Sequence, residues 1–114
     1  MGRWLSSTPK RTRKMNQLIY TLPEIEERLF PVFSEYSVRK AILFGSYAKG
    51  CATPDSDIDI LVDSGLRGLS FFGLLEDVVT ALDKNVDLLD VTQISTGSEV
   101  DNEIINNGVV IYEK

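Results

Sequence analysis

The stretch from Gly45 to Val62, GSYAKGCATPDSDIDILV, places Asp55, Asp57 and Asp59 at alternate positions just after a glycine-serine turn. Asp57 precedes and Asp59 interrupts the apolar sequence Ile58, Ile60, Leu61, Val62. Like charges held this close raise one another's pKa and oppose folding unless something cancels them. Two residues of strand advance roughly 6.6 Å and return to the same face. Asp57 and Asp59 therefore project together and can converge on divalent ions that bridge a triphosphate. Magnesium favours few carboxylates, several waters and substrate phosphates. Two such ions clamp the attacking and leaving oxygens of an in-line displacement, and a third carboxylate completes such a site. Asp87 and Asp90 in VDLLDV are the candidates. Asp87 is preferred, because it enters its strand at the start as Asp57 does, whereas Asp90 lies three residues on and faces oppositely. Gly45 and Ser46 supply the anionic end: glycine lets backbone approach a phosphate, and Ser46 offers a hydroxyl and free amides. Lys49 could neutralise the same phosphates or be an ordinary surface lysine.

Other chemistries fit the segment less well. Asp55-x-Asp57-x-Asp59 resembles the start of a calcium loop, but Ile60 stands at the sixth position, where the tight turn needs glycine. Leu66 stands at the twelfth, where a bidentate glutamate belongs. A P-loop needs GxxxxGK[ST], and Gly50 is followed by Cys51 instead of lysine. Solvated residues on an edge strand would account for Asp55 and Asp63. They account less well for Asp57 and Asp59, which precede and interrupt an apolar run.

The elements that must position these residues follow from local pattern. Thr21-Leu22-Pro23-Glu24 reads as a helix start with capping-box spacing, opening a helix over about 23–36 that Pro31 should kink or split. Residues 38–44 (VRKAILF) read as a buried strand and 58–62 as a second, with 45–51 between them as a short turn or helix. Residues 70–82 (SFFGLLEDVVTAL) form the clearest helix. At ~100° per residue, Phe71, Phe72, Leu74, Leu75, Val78, Val79 and Leu82 fall within about 160° of arc, and Ser70 can cap it. Residues 86–91 read as a third strand, 98–106 as a helix ending at Gly108, and 109–112 as a last short strand. Helices alternating with short strands predict an α+β, two-layer domain with a small mixed sheet and helices packed on one face.

Composition bounds the rest. With 114 residues and 43% hydrophobic content, the chain suits one compact domain. No apolar run approaches the ~20 residues of a membrane span, so a soluble, cytoplasmic protein without membrane contact is expected. The lone Cys51 and the absence of histidine exclude a disulfide within the chain, a CxxC zinc pair and every histidine-based triad. Carboxylates, hydroxyls, backbone amides and lysine must do the chemistry. Five basic residues and no acid lie within positions 1–17, while the remainder holds seven basic and seventeen acidic residues. Residues 1–20 therefore read as a disordered basic leader ahead of a domain over 21–114. The acidic body argues against direct nucleic-acid binding.

Gly45-Ser46, ten intervening residues, then Asp57-x-Asp59 and a later strand aspartate resemble the signature of the polymerase-beta-type nucleotidyltransferases. The run FGSYAKG...SDIDILV is similar to their minimal members, the nucleotidyltransferase halves of HEPN/MNT toxin-antitoxin pairs. The resemblance spans roughly residues 22–114. It implies that Gly45 and Ser46 bind the triphosphate of ATP and that Asp57 and Asp59 hold two Mg2+ ions. Asp87 would complete one metal site and help activate the acceptor hydroxyl. Lys49 stands where such segments usually carry arginine, keeping charge but losing the bidentate fork, and Cys51 stands where a charged residue is common. The resemblance further implies an antitoxin that transfers AMP to a tyrosine of a cognate HEPN ribonuclease toxin encoded nearby. Larger relatives add a helical acceptor domain. Here the chain stops about twenty residues after the third strand, so a partner is expected to bring the acceptor. A binding-only antitoxin and a small-molecule, antibiotic-type nucleotidyltransferase are the alternatives. The intact carboxylate set weighs against the first and the missing acceptor domain against the second.

Overall fold

The computed structural model describes residues 19–114. The expectations for the basic segment at 1–17 lie outside the described residues. Tyr20, on the leader side of the anticipated division, belongs to the core: it is buried and donates its hydroxyl to the Leu82 carbonyl at 2.7 Å.

Helix α1 spans Leu22–Glu35 and starts as its sequence demands. The Thr21 hydroxyl accepts from the Glu24 amide, and the Glu24 carboxylate accepts from the Thr21 amide at 2.8 Å. The expected split at Pro31 does not occur. The helix runs through it, because Pro31 and Glu27 both lie on the exposed side, where water can satisfy the carbonyl that the ring leaves without a donor. Ser37 then turns the chain with φ 56°, and strand β1 covers Lys40–Phe44, two residues shorter than anticipated. A four-residue helix, α2 (Ser46–Lys49), leads through a loop to β2 (Ile58–Asp63).

Helix α3 covers Gly68–Leu82. It begins before Ser70, so Ser70 is not its cap; Arg67 holds that position and makes no side-chain capping bond. Leu74, Val78 and Leu82 form its buried stripe, narrower than the predicted arc, since Phe72 is 53% exposed. Strand β3 is Val86–Asp90, followed by a single 3-10 turn, Val91–Gln93. Helix α4 (Glu99–Asn107) is capped by the Ser98 hydroxyl, which accepts from the Asp101 amide, and β4 (Val109–Glu113) ends the domain.

The sheet order is β3-β2-β1-β4, with β3 parallel to β2 and the other neighbours antiparallel. Ile25, Leu29 and Phe33 of α1 meet Leu74, Val78 and Leu82 of α3 over Ala41, Leu43, Ile58, Ile60 and Val62 on one face of the sheet. Alternation sends Phe44, Asp59 and Leu61 to the opposite face. That face is not bare. Helix α4 packs against β1, and its terminal Gly108 abuts Ile42, so a Cβ at 108 would crowd the Ile42 side chain. The α+β fold with a small mixed sheet is as expected, but the helices do not all pack on one face: α1 and α3 share one, and α4 takes the other, where Gly108 lets it close onto Ile42. Among the described residues, no helix is long and apolar enough to cross a membrane.

Candidate functional site

Strand pairing assembles the carboxylates. Asp59, the second residue of β2, lies directly opposite Asp87, the second residue of parallel β3, and opposite Phe44 of β1 on its other side. Asp57 sits one residue ahead of β2 and is exposed, as is Asp87, whereas Asp59 is half-buried. The approach to Asp57 is pinned. Ser56 closes a turn onto the Thr53 amide through its hydroxyl at 2.9 Å, and the buried Lys84 donates to the Pro54 carbonyl at 3.2 Å. The Ile58 amide then bonds to the Asn85 carbonyl, which brings the starts of β2 and β3 together.

Burial pushes the Asp59 carboxyl up to about 6, and the charges of Asp87, Asp57 and Glu103 push in the same direction. Three neighbouring acids around a half-buried fourth form a focus of negative potential that a cation would relieve.

Gly45 forms the adjoining wall. Its φ of 75° favours glycine, and a Cβ there would overlap Asp59 Oδ2. The Gly-Ser turn is thus moulded directly against the carboxylate. Ser46, half-buried, opens α2, and Tyr47 anchors that short helix in the core. The first amides of any helix lack partners within it, so this turn presents donors beside the acids.

Asp90 stands apart. It is buried, and its carboxylate accepts from the Ser64 hydroxyl at 2.6 Å and from the Thr92 amide and hydroxyl at 3.1 and 2.9 Å. Burial alone would raise its pKa, but these bonds outweigh burial and hold it below the usual carboxylate value. Asp90 ties the end of β2 to the turn after β3. Of the two aspartates on that strand, only Asp87 is brought to Asp59.

Glu103 escaped the sequence reading. It lies on α4, more than forty residues from the DxD pair, and its Oε2 is fully enclosed and pairs with Lys49 Nζ at 3.3 Å. Lys49 is therefore neither a free surface lysine nor already committed to the Gly-Ser turn. The sequence offered no signal for it, since no spacing rule connects an acid at position 103 to residue 59.

The family model "Polymerase beta, Nucleotidyltransferase" matches residues 27–114. The chain belongs to the polymerase beta nucleotidyltransferase family. A relative from Thermococcus cleftensis, named protein adenylyltransferase MntA, is 40% identical over 83 residues, 68% of this chain and 84% of its own. A second, from Methanocaldococcus jannaschii and named as a candidate protein adenylyltransferase, is 36% identical over 74 residues, 62% of this chain and 78% of its own. Among solved structures, a crystal structure of a toxin-antitoxin with AMP-PNP matches with TM-score 0.67 and 27% identity, covering 78% of this chain and 73% of that one.

Within this nucleotidyltransferase, the acids suit a hard divalent cation. All are oxygen donors, Asp59 is destabilised by its neighbours, and the close approach of Gly45 leaves no side chain between Asp59 and the glycine-serine turn. Among the described residues, no three acids already converge as a metal cage. Magnesium does not require one, since it is usually bound by one or two carboxylates plus waters and phosphates.

Proposed function

We propose that this nucleotidyltransferase is a magnesium-dependent protein adenylyltransferase and antitoxin, which transfers AMP from ATP to a tyrosine hydroxyl of a cognate HEPN ribonuclease toxin in the cytoplasm. The observation that carries the reading is the register of Asp59 against Asp87, with Asp57 alongside and the Gly45 turn against Asp59. The similar chain named protein adenylyltransferase MntA and the toxin-antitoxin structure with AMP-PNP support the choice of donor and partner.

Asp57, Asp59 and Asp87 would hold the Mg2+ ions, which when bound screen the triphosphate and stabilise charge on the attacking and leaving oxygens. Gly45 and Ser46 take the β and γ phosphates through backbone amides and the serine hydroxyl, and Lys49 turns from Glu103 toward the same oxygens. The tyrosine oxygen attacks the α-phosphorus and the bond from that phosphorus to the bridging oxygen breaks. Pyrophosphate leaves with the bond's electrons, and the phenolic proton is drawn toward Asp87. Asp87 is exposed at the rim, so a side chain presented by another protein can reach it.

ATP labelled in the α-phosphate should mark the protein encoded beside this chain's gene, and ATP labelled in the γ-phosphate should not. Asp57→Asn together with Asp59→Asn should abolish the labelling. Label from the γ position alone would mean phosphoryl transfer and would contradict the assignment.

A further inference from the structure

The three carboxylates of the site are not held alike. Asp59 and Asp87 lie within paired strands, and the register of β2 against β3 fixes them opposite each other. Asp57 lies one residue ahead of β2, so the position of its carboxylate depends on the loop that delivers it. That loop starts at Gly50, the left-handed end of α2. It closes on itself where the Ser56 hydroxyl accepts from the Thr53 amide at 2.9 Å and the Ser56 amide donates to the Thr53 carbonyl at 3.0 Å.

Lys84 ties this loop to the body of the domain. Asp83, with φ 53°, ends α3 and turns the chain, and Lys84 follows with 3% of its surface exposed. Its ammonium donates to the carbonyl of Pro54 at 3.2 Å, upstream of Asp57. The carbonyl of the next residue, Asn85, accepts from the Ile58 amide at 3.1 Å, directly after Asp57. Asp57 is thus bracketed on both sides by bonds to the segment that enters β3 and carries Asp87. Lysine is among the residues least often buried. Stability alone is a weak reason to bury its charge, because an apolar side chain of similar volume commonly serves the fold as well. The ammonium is better accounted for by what it holds.

We infer that Lys84 is a positioning residue for the metal site: by holding the Pro54 carbonyl, it sets the Asp57 carboxylate beside Asp59 and Asp87. This inference rests on the proposed magnesium site and deepens it. Magnesium tolerates little departure from octahedral coordination. A ligand on a loose loop must be ordered when the ion binds, at an entropic cost that a pre-set ligand has already met on folding. Groups that orient metal ligands without touching the metal are commonly worth roughly 10–100-fold in metal affinity.

The test measures ATP affinity by calorimetry on the full chain, once in Mg2+ and once in EDTA. The ratio of the two is the gain that the ion and the carboxylates provide together, whereas affinity in EDTA reports the fold and the Gly45-Ser46 turn. Lys84→Met, which keeps the length and loses the donor, should cut the gain at least about tenfold and leave affinity in EDTA within about twofold. Lys84→Arg keeps a donor and should retain the gain within about threefold. In an Asp57→Asn background, Lys84→Met should change the gain less than about twofold, because both act through one ligand. Ser56→Ala opens the same loop without touching the core and should cut the gain at least about threefold, which decides the matter if Lys84→Met does not fold. A full gain in Lys84→Met or in Ser56→Ala would overturn the positioning role. So would a Lys84→Met variant that loses affinity alike in Mg2+ and EDTA, one whose effect multiplies with Asp57→Asn, or a Lys84→Arg variant as impaired as Lys84→Met. Equal wild-type affinity in Mg2+ and EDTA would overturn the proposed metal site itself.

Discussion

Asp59 and Asp87 face each other across the only parallel pairing among the described strands, each the second residue of its strand. Two ionised carboxylates in that register, with Asp57 and Glu103 close by, do not stabilise the domain. Their arrangement makes sense as a site held ready for a cation.

Asp87→Ala separates catalysis from folding. The side chain is exposed and makes no bond that supports the fold, so stability should change by no more than about 0.5 kcal/mol in urea unfolding. AMP transfer should fall by at least about a hundredfold, with a smaller loss of ATP affinity, because the missing charge stabilisation matters mainly in the transition state. Single-turnover rates and binding isotherms on one preparation read both.

Asp90→Ala should do the reverse. It strips the partner from the buried Ser64 and the cap from the turn at 91–93, a loss of about 2–3 kcal/mol. Urea midpoints of the two variants compare directly, and a costlier Asp87 variant would contradict the division of labour on β3.

The pH dependence of stability should carry the signature of Asp59. Its pKa is raised from the ordinary 3.8 to about 6 in the folded state, so the native protein holds a proton that the unfolded chain releases more readily. The associated stability is complete below pH 4 and lost as pH rises to about 6. Asp90, whose pKa is lowered, acts in the opposite sense and only in more acidic solution. Melting temperatures between pH 4 and 7 should therefore decline less in Asp59→Asn, and Mg2+ with ATP should raise the wild-type midpoint most at the neutral end.

Gly45→Ala should cost at least about 1 kcal/mol, because the backbone has a positive φ and the new methyl overlaps the Asp59 carboxylate. The same overlap displaces Asp59, so the melting shift produced by Mg2+ and ATP should shrink as well. A full ligand shift in a destabilised variant would place the nucleotide away from this turn.

Strand and helix identities were legible because period-2 and period-3.6 patterns survive in short segments. The capping box at Thr21 and the break at Gly108 were readable for the same reason. The choice of Asp87 over Asp90 could also be read, since strand alternation decides which side chain joins Asp59. What escaped was set by tertiary contact. Pro31 stayed inside α1 because its side of the helix faces water, and Phe72 emerged because the α1–α3 contact is narrower than the apolar arc. Glu103 approaches Asp59 only because α4 crosses the open face of the sheet, a placement that no local pattern contains.

The central claim is transfer of AMP to a partner, and the most direct measurement is the intact mass of that partner. The protein encoded by the adjacent gene is incubated with this chain, Mg2+ and ATP, then weighed and fragmented. Added mass in steps of one AMP residue, located on a tyrosine and absent with Asp87→Ala, is the predicted result. A stable complex whose partner keeps its unmodified mass would contradict the claim and leave inhibition by binding alone.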